Sequence, residues 1–179
     1  YQLGEAGRQI YEFLWGEFCD WYIEMTKVRL RDADQAAADM ARRVLVYVLQ
    51  GSLHLLHPYM PFVTEEIWQH LPGREGRSIV VAAYPKVDAA LDFPEKAREM
   101  GYIIDIITGV RSIRGETNIP PSTQLDVVLR MKSKEIEASV DAYGFFVRDL
   151  ARVRSISFIP EGAPRPKHCA LAVTAEAEV

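Results

Sequence analysis

Residues 5–30, EAGRQIYEFLWGEFCDWYIEMTKVRL, decide the fold. Ile10, Phe13, Leu14, Phe18, Trp21, Met25 and Val28 recur at steps of three and four, the spacing of one face of an α-helix. The stripe predicts a helix from about Glu5 to Leu30, with Gly16 as a weak point inside it. Working outward, Asp32 or Asp34 caps a second helix that runs to about His57, where Pro58 ends it. Ala37, Met40, Ala41, Val44, Val48, Gly51 and Leu55 lie on one of its faces. Its second half is apolar on nearly every side, which places it in the middle of a bundle. Pro61 and Thr64 open a short helix through Ile67 and Trp68, with Glu65 and Glu66 in its first turn, where acids favour the helix dipole. Pro72 to Pro94 reads as a long connection containing one extended apolar run, Ile79 to Ala83. A fourth helix follows from about Glu95 to Gly115, with Met100, Ile103, Ile104, Ile107 and Val110 inward. Four helices with inward stripes predict an antiparallel helical bundle over residues 1–116.

The character changes at Asn118-Ile119-Pro120-Pro121-Ser122, where two prolines demand extended backbone. Beyond it, Gln124–Met131, Arg154–Ile159 and His168–Thr174 read as strands. Ser133–Ala142 reads as a helix, with a second short helix over Phe145–Arg152 after Gly144. Strands separated by helices predict a small α+β subdomain over residues 117–179. The fold class expected is therefore mainly α, a bundle followed by a small α+β unit.

Composition narrows the function. The chain has 179 residues, 49% hydrophobic and 26% charged, with 21 Lys+Arg against 25 Asp+Glu and a net charge of −4. A chain this apolar buries a core, so disorder is excluded as its main state. The acidity excludes a uniformly basic nucleic-acid binder. Residues 1–116 hold 13 Lys+Arg against 17 Asp+Glu, and residues 117–179 hold 8 against 8, so the bundle carries the whole net charge. Cys19 and Cys169 are too few for a disulfide framework and read as free thiols in a reducing compartment. No apolar run approaches the ~18–20 residues of a membrane span. Tyr1 stands where a start methionine would, and Ala170–Val179 resembles an unfinished strand, so both ends read as cut from something longer.

No phosphate loop, dinucleotide fingerprint or nucleophile elbow occurs. His54, His57 and His70 lie near Glu65 and Glu66, yet their spacing matches no metal motif, and they read as structural. Cys19 reads as a packed thiol. No catalytic residue and no metal ligand is expected. Binding is the better lead. Phe18, Trp21 and Met25 read as core, while Tyr22, Ile23, Glu24 and Lys27 follow the helical turn to another face. Apolar and hydrogen-bonding groups side by side suit unstacked RNA bases. Arg29, Arg31, Arg42 and Arg43 flank the first helix–helix turn and are candidates for phosphate contact. Arg111, Arg114, Arg148, Arg152 and Arg154 form a second basic run, for which salt bridges between elements are expected.

Several segments together resemble the C-terminal anticodon-binding region of valyl-tRNA synthetases, a class I family. They are Tyr11–Glu24 (YEFLWGEFCDWYIE), His57–Trp68 (HPYMPFVTEEIW), Arg111–Arg114 (RSIR) and Asn118–Ser122 (NIPPS), in the family's order and spacing. The resemblance implies a helical domain that grips the anticodon stem and loop of tRNA(Val), followed by a small α/β subdomain. It implies no cofactor here, with ATP and Mg used by a catalytic domain elsewhere in the full-length enzyme. It implies a cytoplasmic protein whose partners are tRNA and the catalytic and coiled-coil parts of its own chain, with no DNA and no membrane. It maps loop-base contacts onto Tyr22, Ile23, Glu24 and Lys27. The same domain of another class I synthetase, such as the isoleucine enzyme, fits the bundle equally well. A helical protein-interaction module without an RNA role fits the acidic balance.

Overall fold

The computed structural model describes residues 2–31, 34–74, 76–131, 133–160, 162–164, 166, 169–173 and 177–179. The alternative cap Asp32, and His168 and Thr174 at the ends of the expected third strand, lie outside the described residues. The chain divides into two compact units at Ala90/Leu91.

The first unit opens with one unbroken helical run. It is α-helical over Leu3–Glu12 (α1), π-helical over Phe13–Ile23, and α-helical again over Glu24–Leu30 (α2). Backbone dihedrals stay in the right-handed region at both junctions, so the axis is continuous. This departs from the single α-helix expected. The wider i→i+5 turn shifts the stripe. Phe18 and Met25 are buried as expected, but Phe13 is 42% exposed. Trp15 stands 55% exposed, edge-on to Tyr11 with centroids 6.1 Å apart.

The next helix, α3 (Gln35–Leu56), is capped by Asp34, whose Oδ1 accepts from the amides of Ala36 (2.9 Å) and Ala37 (3.2 Å). Its buried positions are Ala38, Ala41, Ser52 and Leu53, while Met40 points out at 58% exposure. Small alanines there let the preceding run pack closely along α3. Pro61 starts α4 (Pro61–Gln69). Glu65 therefore falls in the second turn, not the first, and holds the following connection. Its carboxylate accepts from Gln69 Nε2 (2.5 Å), Ser78 Oγ (2.7 Å) and the Ile79 amide (3.1 Å). Those donors hold its carboxyl below the usual carboxylate range. The apolar run of the connection is a 3-10 turn over Ile79–Val81 rather than extended backbone, and Ile79 packs with Leu53 and Trp68.

The second unit contains α5 (Pro94–Glu116), β1 (Leu125–Met131), α6 (Lys134–Leu150), β2 (Val153–Ile159) and β3 (Ala177–Glu178). The sheet order is β2-β1-β3, with β1 parallel to β2 and antiparallel to β3. The α6 crossover is what a parallel β1/β2 pair requires. Helix α5, grouped with the bundle in the sequence reading, packs on α6, with Ile103, Ile106, Ile107 and Val110 buried. Two expected short helices are one: α6 runs through buried Gly144, which faces Ile156 of β2. The third strand is displaced. Cys169–Ala172 is not a strand, and the antiparallel partner of β1 is Ala177–Glu178.

Arg114 ties this unit together. Nearly fully buried, its guanidinium donates to the carbonyls of Ala151 (3.1 Å), Arg152 (2.8 Å), Pro120 (3.2 Å) and Thr123 (2.7 Å). The salt bridge expected of it is thus a set of carbonyl contacts, which satisfy the end of α6 and fix the two-proline loop. No described helix is long and apolar enough to cross a membrane.

Candidate nucleic-acid interface

The candidate face lies where the π-helical run returns to α2. Tyr22 leans inward and stacks on buried Phe18, with centroids 6.0 Å apart and planes 17° apart. Burial pushes its phenol up, against the opposing pull of a Thr26 hydrogen bond and the Arg29 charge. Ile23 and Glu24 are half-buried and Lys27 is exposed. Lys27 Nζ pairs with Glu24 Oε1 at 2.5 Å. Helical spacing puts Ile23, Glu24 and Lys27 on one face, with Tyr22 at its inner border. The face therefore offers an apolar patch, a carboxylate acceptor and a cation within one turn. An exposed ion pair contributes little to stability, so Lys27 can exchange Glu24 for a base or a phosphate at small cost.

The flanking arginines divide by environment. Arg29 is half-buried and Arg31 is exposed at the end of α2, and both are engaged by neighbouring groups. On α3, Arg42 Nη1 pairs with Asp39 Oδ1 at 2.5 Å. Arg43 is exposed and has no carboxylate partner among the described residues. Because α2 packs along α3, both groups of cations lie on adjacent helices. Sequence reasoning missed the outward Tyr11–Trp15 pair, since a 3.6-residue period does not describe a π-helical segment.

The histidines are engaged locally. Nδ1 of His54 meets Gln50 O at 2.9 Å, Nδ1 of His57 meets Thr64 Oγ1 at 2.7 Å, and Nδ1 of His70 meets Glu66 O at 2.8 Å. Among the described residues no three His, Cys, Asp or Glu side chains converge to hold a metal. Both cysteines are free thiols.

A helical unit carrying an aromatic, acidic and basic face, joined to a small α+β unit, fits a domain that grips folded RNA. The sequence model of the anticodon-binding domain of tRNA ligases matches residues 1–129, and the chain belongs to that family. Over all 179 residues it is 42% identical to the valine–tRNA ligase of Geobacillus kaustophilus, covering 20% of that protein. Over 140 residues, 78% of the chain, it is 50% identical to a valine–tRNA ligase of Bacillus cereus, covering 16% of it. Against that of Staphylococcus carnosus it is 47% identical over 141 residues, 79% of the chain and 16% of the relative. The chain thus spans about a fifth of the length of the curated relatives it matches.

Proposed function

We propose that the chain positions tRNA(Val) for a valine–tRNA ligase. Similarity to valine–tRNA ligases over the whole chain carries this reading. In it, Ile23, Glu24 and Lys27, bordered by Tyr22, meet unstacked bases of the anticodon loop. A carboxylate accepts from base amino groups, and an apolar face takes a ring. Arg29, Arg31, Arg42 and Arg43 hold backbone phosphates and fix register. Valine attachment, with its ATP and Mg, belongs to a catalytic domain of the whole ligase. Anticodon contact raises discrimination because its binding energy is realised in the productive complex.

The test is binding and charging of tRNA(Val) by the intact ligase carrying Ile23→Asp or Lys27→Glu. Loss of a charge-assisted contact is expected to weaken binding by about tenfold or more. The loss should shrink for a tRNA with a changed anticodon. Unchanged affinity and charging for both variants would remove the face from the interface.

A further inference from the structure

We propose that the turn joining α6 to β2 is a second tRNA contact, a phosphate-binding surface that grips the sugar–phosphate backbone without reading bases. It rests on the reading of the chain as a tRNA-binding domain and concerns a part of the fold to which that reading assigns no contact.

Two guanidinium groups, those of Arg111 and Arg114, converge on Arg148-Asp149-Leu150-Ala151-Arg152, a stretch that carries two arginines of its own. Arg111 reaches over from α5 and donates from Nε (3.3 Å) and Nη2 (3.0 Å) to Leu150 O. Arg114 reaches the carbonyls of Ala151 and Arg152 at 3.1 and 2.8 Å. Arg148 and Arg152 belong to the stretch itself. Both are exposed, and neither side chain is paired with a carboxylate among the described residues. Asp149 is the single carboxylate in the stretch, and Asp126 is held by Arg154 on the neighbouring strands. Arg148 and Arg152 therefore stand as two exposed cations one helical turn apart in a chain whose net charge is −4.

The ordinary reason for cations at a helix C-terminus is the row of free carbonyls. That reason is already met, because Arg111 and Arg114 take the carbonyls of residues 150–152. Arg148 and Arg152 are left over. Arg152 also stands at φ +54°, just past the helix C-cap, in left-handed backbone where glycine is the usual choice. That conformation is held inside the fold, where the Arg152 carbonyl accepts from Arg114 Nη2 at 2.8 Å and from the Leu125 amide at 3.2 Å. The backbone there has a use within the fold, whereas the exposed guanidinium has no carboxylate partner among the described residues. Exposed guanidinium forks match phosphate oxygens bidentately, and repeated phosphates are what a tRNA backbone presents.

Binding of fluorescently labelled tRNA(Val) to the chain, followed across about 20–200 mM salt, tests this. The Arg148→Glu/Arg152→Glu double variant should flatten the slope of log K against log salt by about 1.5–2. It should weaken tRNAs with matched and changed anticodons equally, unlike variants of Ile23 or Lys27, so the two readings fail separately. Arg148→Lys/Arg152→Lys should keep most of the slope. Arg152→Gly should raise the thermal unfolding midpoint while flattening the slope by about one phosphate's share, about 0.7–0.9. A purely structural role would move stability alone. Three results would overturn the proposal: no salt-dependent tRNA binding by the unsubstituted chain, an unchanged slope in the double Glu variant, or a saturable site for inorganic phosphate that this variant abolishes without altering tRNA binding.

Discussion

Asp126 on β1 accepts from Arg154 Nε at 2.9 Å and Ser155 Oγ at 2.5 Å, both on β2. The guanidinium and hydroxyl hold its carboxyl at about 2, against an ordinary 3.8. A carboxyl depressed in the folded state adds stability that is fully present above its unfolded value. That stability is lost as pH falls through the folded value. Thermal unfolding of the chain is therefore expected to lose one proton-linked increment between about pH 4 and pH 2. Asp126→Asn should remove that increment and leave the profile above pH 5 otherwise parallel. An identical acid profile in the variant would show that the pair contributes nothing to folding. At the same scale, the candidate face depends on single side chains whose partners are close in sequence. That Glu24 and Lys27 share a helix face was legible from spacing, whereas their ion pair and the inward lean of Tyr22 onto Phe18 were not.

Among elements, the decisive joint is Arg114, which links α5, the two-proline loop and the end of α6. Replacing it by Met removes four donors and leaves buried carbonyls without partners. The expected cost is about 3 kcal/mol or more, read as a lower denaturant midpoint. Lys in its place cannot reach all four carbonyls and should recover only part of the loss. A midpoint within experimental error of the unsubstituted chain would assign the anchoring to the packing of Ile106, Ile107 and Val110 instead. Helix existence was readable here from period and punctuation. Asp34, Pro61 and Pro94 start their helices as their chemistry requires. What was not readable was continuity. Gly144 looked like a break because glycine disfavours helix, yet α6 continues through it with the residue buried against β2.

For the whole molecule, a net charge of −4 excludes affinity from bulk electrostatics. A protein that neutralises many phosphates loses about 10³–10⁵ in affinity between 50 and 200 mM salt. The four first-unit arginines and the two at the end of α6 amount to six proposed phosphate contacts, so affinity should fall by about 300- to 2,000-fold over that range, measured by equilibrium binding to tRNA(Val). A loss below about 30-fold would show that fewer than half of these contacts form. The sequence by itself determined the helical class, the change of character at Asn118–Ser122, the strands β1 and β2 and the resemblance that names the family. These depend on local periodicity, proline and quoted motifs, which need no partner. Only the tertiary structure decided the π-helical register of residues 13–23, the pairing of β1 with Ala177–Glu178, the packing of α5 on α6 and the convergence of Arg111 and Arg114 on residues 150–152. Each of these depends on which distant groups can satisfy a carbonyl or fill a void, and hydrophobic period carries no information about that.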